Sequence, residues 1–392
     1  MKKVLFLITT LNGGGAERAL CNITLAMPED VQIDILVNCE EPEKDYPHRG
    51  NVISAATISQ RKIRIPFPIK VFFGKYFKLL RLKKKGGYDA CISFMDESNI
   101  LNILTGNRYC KAIISERTTL SQSKINNNIK VLAKILYKHA DRIVSLSEGT
   151  KDDLIDNFDA SRERTLTIYN GYDINLIQQK AQMLNDIDLD KDCFYFLSEG
   201  RLEEPKGHWH LIRAFSRVVL THPECRLIIC GKGPYLNMLE ELVKERNLEN
   251  YVIFKGFVKN PYAVSKECDA FVFPSLYEGF GNVVIENMIC GLPVIATDFR
   301  HGAREILAPD TDYRYQVTDD IEMAEYGIIT PVCSGNKKLG KEPLEKEEEL
   351  LAKAMGMLVE DDQLRLHYAE QSVKRAEDFS IGKAVKQWID II

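Results

Sequence analysis

The sequence predicts an α/β protein of two Rossmann-like, doubly wound domains that face a central cleft. Short apolar runs alternate with helical patterns, which is typical of βαβ units on a mostly parallel sheet. The alternation stops in a polar stretch near residues 171–192 and then begins again. At 392 residues the chain is also longer than one hydrophobic core usually serves.

The apolar runs set the order of the predicted elements. In the first half the predicted strands are residues 4–8, 31–37, 89–94, 111–115 and 142–146. One predicted helix begins at residues 13–15, and another spans residues 129–139. In the second half the predicted strands are residues 194–198, 225–230, 252–254, 270–273 and 294–296, and the predicted helices are 209–220, 235–246 and 283–290. We therefore expect a first domain over residues 1–175, a second over 176–375, and a C-terminal helix in 376–392 that packs back on the first.

Composition indicates a soluble globular protein, with 45% hydrophobic residues, 28% charged residues and a formal net charge of −4. The ten cysteines form no C-x-x-C pair, and several lie in apolar runs, which favours a reducing compartment over a disulfide framework or a zinc site. No apolar run approaches the roughly 18 to 20 residues of a membrane-spanning helix. We expect a cytoplasmic protein.

The strongest motif is SLYEGFGNVVIENMICGLPVIATD at residues 275–298, where a glycine-bearing loop leads into a helix. Glu278 lies in the loop and Glu286 in the predicted helix. Eight helical residues span about 12 Å, which suits two carboxylates that accept hydrogen bonds from opposite ends of one nucleotide sugar. The helix start also offers unpaired N–H groups to an anion. Glutamates at this spacing are common by chance, but the surrounding sequence favours a functional site.

Two further motifs follow predicted strands. EGRLEEPKGHWHLIRAF, residues 199–215, places Arg201 and Lys206 on either side of a turn, where two cations suit a diphosphate. GGGAER, residues 13–18, places Gly14 and Gly15 where the backbone can approach a phosphate or sugar closely. A lone cation is more often a solvated surface residue, and such glycine turns also serve packing.

Taken in order, the stretches GGGAER, ISER, LSEG, GRLEEPKG, CGKGP and YEGFGNVVIENMICGLPVIATD resemble the retaining glycosyltransferases of family 4, which have the GT-B fold. The two glutamates resemble the E-x7-E motif of that family. The resemblance implies that Arg201 and Lys206 bind the donor diphosphate, that Glu278 contacts the transferred sugar, and that Glu286 holds the ribose hydroxyls. The other implied donor contacts are Gly14, Gly15, Val258, Phe280, Gly281 and Asn282.

The resemblance also implies transfer with retention and without a metal or other cofactor, with the departing phosphate acting as base. Fixed cations stabilise a leaving diphosphate, and the D-x-D aspartates of residues 186–190 lie in the polar linker rather than at a strand end. Relatives often carry a histidine where this chain has Ser115, Glu116 and Arg117. Arg117 is a candidate cation near the sugar or phosphate, and Glu116 a candidate acceptor contact, with plain structural roles equally open.

Residues 61–85 contain ten basic residues and no acidic one, with aromatic and aliphatic residues between them. A helix with aromatic and basic faces is typical of a membrane-surface element, although a core helix with a solvated basic face has the same pattern. No other motif supports nucleic-acid binding. Together with the resemblance, the segment predicts a peripheral enzyme at the inner face of the membrane, which uses a UDP-sugar and a polyprenyl-diphosphate-linked glycan acceptor.

Other classes fit less well. A GT-B nucleotide-sugar epimerase shares the fold but lacks the context of the glutamate pair, and a transferase with a soluble small-molecule acceptor stays open. An NAD oxidoreductase needs an intact glycine fingerprint, which the consecutive glycines 13–15 break. A non-catalytic binding module would lack the donor-site residues. The sequence leaves the donor sugar, the linkage and the oligomeric state undecided.

Overall fold

A computed structural model describes the protein over residues 2–55, 67–123, 125–183, 189–337, 340 and 342–392. The chain forms two compact units, one of Met1–Gly171 with Ser380–Ile392 and the other of Tyr172–Phe379. The boundaries predicted from the sequence were residues 175 and 375. Asp186 and Asp188 of the D-x-D stretch lie outside the described residues.

The first unit is built around a parallel sheet. Its strands are β1 (Lys3–Leu7), β2 (Gln32–Val37), β3 (Asn51–Ser54), β4 (Ala90–Phe94), β5 (Lys111–Glu116), β6 (Arg142–Ser145) and β7 (Thr165–Thr167). They lie in the order β3-β2-β1-β4-β5-β6-β7, so the chain reverses its direction of winding between β1 and β4. The helices that follow these strands are α1 (Gly15–Ala26), α2 (Phe67–Lys85), α3 (Asp96–Leu104), α4 (Asn127–Leu136) and α5 (Glu148–Phe158).

The second unit repeats this architecture. Its strands are β8 (Phe194–Glu199), β9 (Cys225–Cys230), β10 (Val252–Gly256), β11 (Ala270–Phe273), β12 (Val294–Thr297), β13 (Glu322–Ala324) and β14 (Gly327–Thr330). They lie in the order β10-β9-β8-β11-β12-β14-β13, with the reversal between β8 and β11 and an antiparallel β13–β14 pair at the edge. Its helices are α6 (Ile174–Ala181), α7 (His208–Thr221), α8 (Leu236–Glu245), α9 (Pro261–Lys266), α10 (Asn282–Ile289), α11 (Ala303–Leu307), α12 (Lys346–Glu360) and α13 (Asp362–Ala376).

The last helix, α14 (Ile381–Ile391), belongs to the first unit, where it packs against α1. Its Trp388 is fully buried and stacks on Phe94 of β4, with 5.8 Å between the ring centroids. Burying a tryptophan removes a large apolar surface from water. This contact therefore fixes the C-terminal helix to the sheet of the first unit.

The central strands are apolar on both faces because helices cover the sheet on both sides. In β4, for example, all five residues are buried. The edge strands β3, β7 and β13 were not predicted, since each is short and only partly apolar. Helix α6 lies in the segment predicted to be a polar linker; half of its residues are apolar, and of these Ile177 and Ala181 are buried.

The ten cysteines carry free thiols, and most are buried. Burial raises the pKa of Cys91, Cys225 and Cys230 to about 12. A thiol with so high a pKa stays protonated and unreactive at neutral pH. These side chains therefore act as small apolar residues in the core.

Candidate active site

The loops after strands β8, β9 and β11 approach one another closely because glycines lie at the points of contact. A Cβ atom on Gly231, which follows β9, would collide with the carbonyl oxygen of Gly200, which follows β8. A Cβ atom on Gly207 would collide with the carbonyl oxygen of Pro274, which follows β11. The loops therefore meet at the carboxyl end of the sheet, beside the reversal of strand order where doubly wound proteins bind ligands.

Lys206 and Glu278 form an ion pair at this edge. Both side chains are mostly buried, and the Lys206 ammonium also lies 5.0 Å from the centroid of the Phe273 ring. The same Glu278 oxygen accepts a hydrogen bond of 2.6 Å from the Ser275 hydroxyl. The structure thus brings together one of the two predicted cations and one of the two predicted glutamates, and it holds both in defined positions.

Arg201 is placed differently. Its side chain is 79% exposed, and its guanidinium lies 3.6 Å from the carboxylate of Glu203. The residue follows Gly200 at the end of β8, so its backbone belongs to the same group of loops as Lys206. Among the described contacts, its guanidinium forms no ion pair with Glu278.

Helix α10 begins within the glutamate motif. Gly281 takes the N-terminal cap position with φ of +91°, a conformation that favours glycine, and Asn282 is the first helical residue. The Asn282 Oδ1 accepts a hydrogen bond of 2.8 Å from the Tyr172 hydroxyl. Glu286 lies one turn further along the helix and is buried. Only residues 282–286 of the segment between the two glutamates are helical, so the expected separation of about 12 Å, which assumed eight helical residues, loses its basis.

The other predicted donor contacts of this unit lie in the loops after β10 and β11. Phe280 is buried against Phe379, with ring centroids 5.9 Å apart, so only its backbone is placed to face a ligand. Val258 is half-buried in the loop after β10, next to Phe257, which is 71% exposed. An exposed aromatic ring beside Val258 suits the flat face of a nucleobase.

Sequence reasoning missed one buried acid at this edge. Glu199 is the last residue of β8, and its Oε2 accepts a hydrogen bond of 3.3 Å from the Asn287 amide of α10. Carboxylates are rarely buried without a partner. The signal was present in the motif, as the glutamate that precedes Gly200 and Arg201.

His208, the first residue of α7, gives the site a pH-dependent stability. Burial, with the Lys206 charge as a second cause, lowers the pKa of His208 to about 3. The folded protein therefore keeps this imidazole neutral, whereas the unfolded chain takes up a proton below about pH 6.5. Because the unfolded state binds more protons, stability is lost as the pH falls from about 6.5 towards 3.

Between pH 7 and pH 5, His208 should lower the free energy of unfolding of the wild type by about 2 kcal/mol. We expect His208→Gln to abolish this part of the pH dependence. Urea unfolding at the two pH values measures that difference in wild type and variant. His222→Gln, at a histidine paired with Glu360 on the surface of the same unit, is the control. Equal pH dependence in wild type and His208→Gln would contradict a neutral buried imidazole.

Among the residues of the second unit that the structure describes, His210, Glu345 and Glu348 lie close enough together to hold a metal ion. The Arg213 guanidinium already neutralises Glu348, with 2.8 Å between its Nε and the Glu348 Oε1. A cation would have to displace this charge or lie beside it. We therefore assign the group a structural role in joining α7 to α12.

The glycine cluster of the first unit forms the start of α1. Gly13 has φ of +89°, and Gly14 caps the helix. The carboxylate of Glu17 lies against Gly14, because a Cβ atom there would collide with Glu17 Oε2. Gly14 and Gly15 thus leave a helix N-terminus at the carboxyl end of β1, with one acidic side chain of the first turn folded over it.

Arg117 is buried, and its guanidinium lies over the Phe94 ring at 4.7 Å and near the Trp388 ring at 5.9 Å. It also donates a hydrogen bond of 3.1 Å to Asn170. These contacts connect the end of β5 to the C-terminal helix. Its neighbour Glu116 is fully buried as well.

The basic segment is only partly described: residues 61–66 lie outside the described residues, as do the side chains of residues 67–71. The expectation of an exposed basic face was wrong for Lys75 and Lys83, which are buried. Lys75 donates to the Ile8 carbonyl at 3.3 Å, and Lys83 to the Asn102 carbonyl at 2.7 Å.

The outward face of α2 carries aromatic and basic residues together. Phe73 is 54% exposed and Phe77 is 64% exposed. One helical turn or more further along, the exposed basic residues are Arg81, Lys84 and Lys85. In the part of the chain that the structure describes, no helix combines the length and apolar character needed to cross a membrane.

Comparison with known proteins identifies the family. Residues 13–176 match the profile described as Glycosyltransferase Family 4, and residues 179–329 match Glycosyl transferases group 1. An N-acetylgalactosamine-N,N'-diacetylbacillosaminyl-diphospho-undecaprenol 4-alpha-N-acetylgalactosaminyltransferase of Campylobacter jejuni is 31% identical over 395 residues, which cover 98% of each chain. The chain belongs to glycosyltransferase family 4. An uncharacterized glycosyltransferase of Methanocaldococcus jannaschii is 35% identical over 82% of this transferase and 83% of its own length.

Solved structures share the fold of this transferase. HepE of Anabaena, solved with UDP, superposes with a TM-score of 0.76 at 20% identity, over 100% of this chain and 99% of that one. WaaG, a glycosyltransferase of lipopolysaccharide biosynthesis, superposes with a TM-score of 0.68 at 15% identity, over 99% of each chain. The predicted family and the predicted GT-B class of two Rossmann-like domains are confirmed.

Proposed function

We propose that this transferase moves a hexose or N-acetylhexosamine from a UDP-sugar to a lipid-linked glycan, with retention of configuration and without a metal ion. The observation that carries the proposal is the Lys206–Glu278 pair at the carboxyl end of the second sheet, beside the start of α10. Such a pair places a positive charge for a leaving diphosphate next to a carboxylate for a sugar hydroxyl.

The donor is assigned from the second unit and from a structural neighbour. HepE was solved with UDP and with UDP-glucose. In this chain the first turn of α10 has backbone N–H groups that suit phosphate oxygens, and the buried Glu286 on the same helix would accept hydrogen bonds from the ribose hydroxyls. Val258 and the exposed Phe257 would flank the base.

Departure of UDP leaves negative charge on the diphosphate and positive charge on the sugar ring. Lys206, with Arg201 reaching in from solvent, would stabilise the diphosphate, which is the task a metal ion performs in other transferases. Glu278 is neutralised by Lys206 and hydrogen-bonded by Ser275, so it is a poor nucleophile and a good acceptor for a sugar hydroxyl. We therefore assign the departing phosphate, not Glu278, as the group that takes the acceptor proton.

The acceptor is assigned from relatives. The Campylobacter relative described above and a second one, 24% identical over 100% of this chain, are both named for the addition of N-acetylgalactosamine to undecaprenol-linked glycans. The aromatic and basic outward face of α2 suits the surface of an anionic membrane. Together they support a peripheral enzyme on the cytoplasmic face of the membrane.

A soluble acceptor is the second candidate. A mannosylfructose-phosphate synthase of Agrobacterium fabrum is 31% identical over 42% of this chain, and its name describes a small, water-soluble product. The two candidates share the donor chemistry. They differ in the acceptor alone, so one assay separates them.

The assay incubates the purified protein with UDP-, GDP- and ADP-sugars, alone, with detergent-solubilised bacterial lipid-linked glycans, or with sugar phosphates. Released nucleoside diphosphate is measured with and without EDTA. We expect UDP release at least tenfold above the acceptor-free rate only with the lipid-linked glycans, and no effect of EDTA. NMR of the product should show the anomeric configuration of the donor.

Release with sugar phosphates alone would support the second candidate. Release that EDTA abolishes would contradict metal independence, and an inverted product would contradict retention. If no sugar nucleotide is consumed with any acceptor, the proposed function is wrong.

A further inference from the structure

The donor residues of the second unit follow the order of its strands. Val258 lies after β10, Lys206 after β8 and Glu278 after β11. The sheet order β10-β9-β8-β11-β12 therefore assigns the base, the diphosphate and the transferred sugar to successive positions along one edge. The next strand along that edge is β12, so the loops at its carboxyl end lie beside the place assigned to the transferred sugar.

The end of β12 is in direct contact with the loop that carries Glu278. The hydroxyl of Thr297, the last residue of β12, donates to the Ser275 carbonyl at 2.5 Å. A Cβ atom on Gly302, in the loop after β12, would collide with the Phe280 carbonyl oxygen. The residues assigned to the sugar and the loop after β12 therefore adjoin without an intervening element.

A second loop, between α11 and β13, folds back onto this edge. The Gln316 amide donates to the Asp298 carbonyl at 2.6 Å, and the Val317 N–H donates to the Asp298 carboxylate at 2.7 Å. The Arg300 Nε donates to the Gln316 Oε1 at 3.0 Å. These hydrogen bonds fix Tyr315, the residue before Gln316, at the end of β12 and close to Arg300.

Tyr315 presents an aromatic ring that is supported on one face. The Arg304 guanidinium lies 4.6 Å from the centroid of this ring, and Arg304 itself is buried. The guanidinium is held in turn by the carboxylates of Asp298, at 3.0 Å, and Glu322. Tyr315 is nevertheless 56% exposed, so the ring face opposite Arg304 is open to solvent.

A structural role alone does not require this ring. Arg304 already has two carboxylates as partners, and a cation–π contact at the surface adds little to them. Single exposed aromatic residues are common on protein surfaces. Tyr315 differs from them because its ring is immobilised from below and lies beside the Lys206–Glu278 site. A rigid aromatic side chain also loses little conformational entropy on binding a ligand.

The open ring face and the neighbouring Arg300 suit a pyranose. A pyranose has a face of C–H groups, which packs on an aromatic ring, and hydroxyls at its rim, which accept hydrogen bonds. Arg300 is exposed, and among the described contacts only its Nε has a partner, so its two terminal amino groups can donate to such hydroxyls.

A nucleobase also stacks on aromatic rings. In this unit, however, the base is assigned to Val258 and Phe257 at the end of β10, on the far side of the donor site from β12. A sugar ring is therefore the ligand class that fits Tyr315.

We propose that Tyr315 and Arg300 bind a sugar ring of the acceptor glycan, with the pyranose stacked on Tyr315 and its hydroxyl oxygens bonded to Arg300. The inference rests on the proposed function, because it places the acceptor sugar next to the sugar that the reaction transfers. It concerns the second unit alone. It also predicts the acceptor class: a polyprenyl phosphate without a sugar cannot fill this subsite, whereas a lipid-linked glycan can.

The test titrates the whole chain with the methyl α-glycosides of N-acetylgalactosamine, N-acetylglucosamine and glucose, and separately with UDP. Ligand-observed NMR measures each affinity. In Tyr315→Ala we expect the affinity for the best glycoside to fall by about tenfold or more, with UDP affinity unchanged. Arg300→Met should lower the glycoside affinity about fivefold through the lost hydrogen bonds.

Ring-keeping replacements distinguish stacking from a structural role. Tyr315→Phe and Tyr315→Trp should bind the glycosides within about threefold of wild type. Tyr251→Ala is the matched control and should bind them as wild type does. Tyr251 also stacks with an arginine, Arg226 at 5.0 Å, but it directly precedes β10 and so lies at the amino end of the same sheet.

Equal glycoside affinity in Tyr315→Ala and Tyr251→Ala would overturn the inference, as would saturable binding of none of the three glycosides to wild type. An equal loss in Tyr315→Phe and Tyr315→Ala would overturn the stacking, because phenylalanine retains the ring. UDP binding and UDP-sugar turnover report on the proposed function independently. A protein that binds UDP and transfers sugar, yet binds the glycosides equally well without Tyr315, would keep its proposed function and lose this subsite.

Discussion

Replacement of Lys206 with methionine is expected to lower kcat by about 10²- to 10³-fold. The ammonium is fixed before any substrate binds, by Glu278 on one side and by the face of the Phe273 ring on the other. A charge that is already in place needs no reorganisation when the diphosphate departs, so its effect belongs mainly to the transition state. Methionine keeps most of the aliphatic stem and removes only the charge.

Steady-state kinetics of UDP release, with donor and acceptor varied separately, measures the effect. A loss in kcat with little change in the KM of the donor indicates stabilisation of the transition state, whereas a higher KM alone indicates uniform binding. Lys346→Met is the matched control, since Lys346 forms an exposed ion pair with Asp319 in the same unit. A kcat for Lys206→Met within twofold of that of Lys346→Met would remove Lys206 from the site.

The second unit shows how far sequence patterns reach. The predicted strands at residues 225–230 and 270–273 agree with β9 and β11 residue for residue, because a buried parallel strand is a continuous apolar run between polar turns. Lys206 and Glu278 were each expected to contact the donor, but their pairing with each other depends on β8 and β11 being neighbours in the sheet, which was not predicted. The orientation of Arg201 did not follow, since rotamers of an exposed side chain leave no trace in the sequence.

The helix α2 shows where those patterns fail. A three- and four-residue spacing of aromatic and basic residues is the same whether the lysines face solvent or the core. Whether a lysine is buried depends on a partner that is distant in the sequence: Lys75 donates a hydrogen bond to the Ile8 carbonyl, 67 residues earlier in the chain. Long-range contacts of this kind depend on the packing of α2 against the sheet, which no local window contains.

The buried acids Glu116 and Asp96 of the first unit combine both cases. Glu116 was singled out because it follows a strand in a motif typical of the family. Asp96 was not, because its place near Glu116 depends on the pairing of β4 with β5. Neither the order of strands in a sheet nor a backbone dihedral angle of a non-glycine residue can be read from the local sequence.

The largest effect on stability is expected at Glu348. The residue is fully buried on α12, and its Oε1 accepts from the Arg213 Nε at 2.8 Å and the His210 Nδ1 at 2.7 Å. Burial alone would raise the pKa of Glu348, but the hydrogen bonds from His210 and Arg213 outweigh it and leave that pKa below its usual value. Glu348 is therefore the counter-charge of the fully buried Arg213 side chain.

We expect Glu348→Ala to lower the free energy of unfolding by about 3 to 5 kcal/mol, because it leaves the Arg213 charge buried without its carboxylate. Urea unfolding followed by Trp209 fluorescence reports on this part of the molecule, since the Trp209 ring lies 4.9 Å from that of His210. A Trp388→Phe background leaves Trp209 as the one tryptophan, because the chain has two.

The neighbouring residue supplies the control. Glu349 forms a longer pair with Arg217, at 3.8 Å, and both side chains are more than half exposed. Its replacement with alanine should cost less than about 1 kcal/mol. The double variant Arg213→Met with Glu348→Leu removes both charges and should be more stable than Glu348→Ala, because the penalty arises from the unpaired ion rather than from the lost attraction. If Glu348→Ala were as stable as Glu349→Ala, water would have to reach Arg213 between α7 and α12. The ion pair of Arg213 with Glu348 would then not be the contact that joins these two helices.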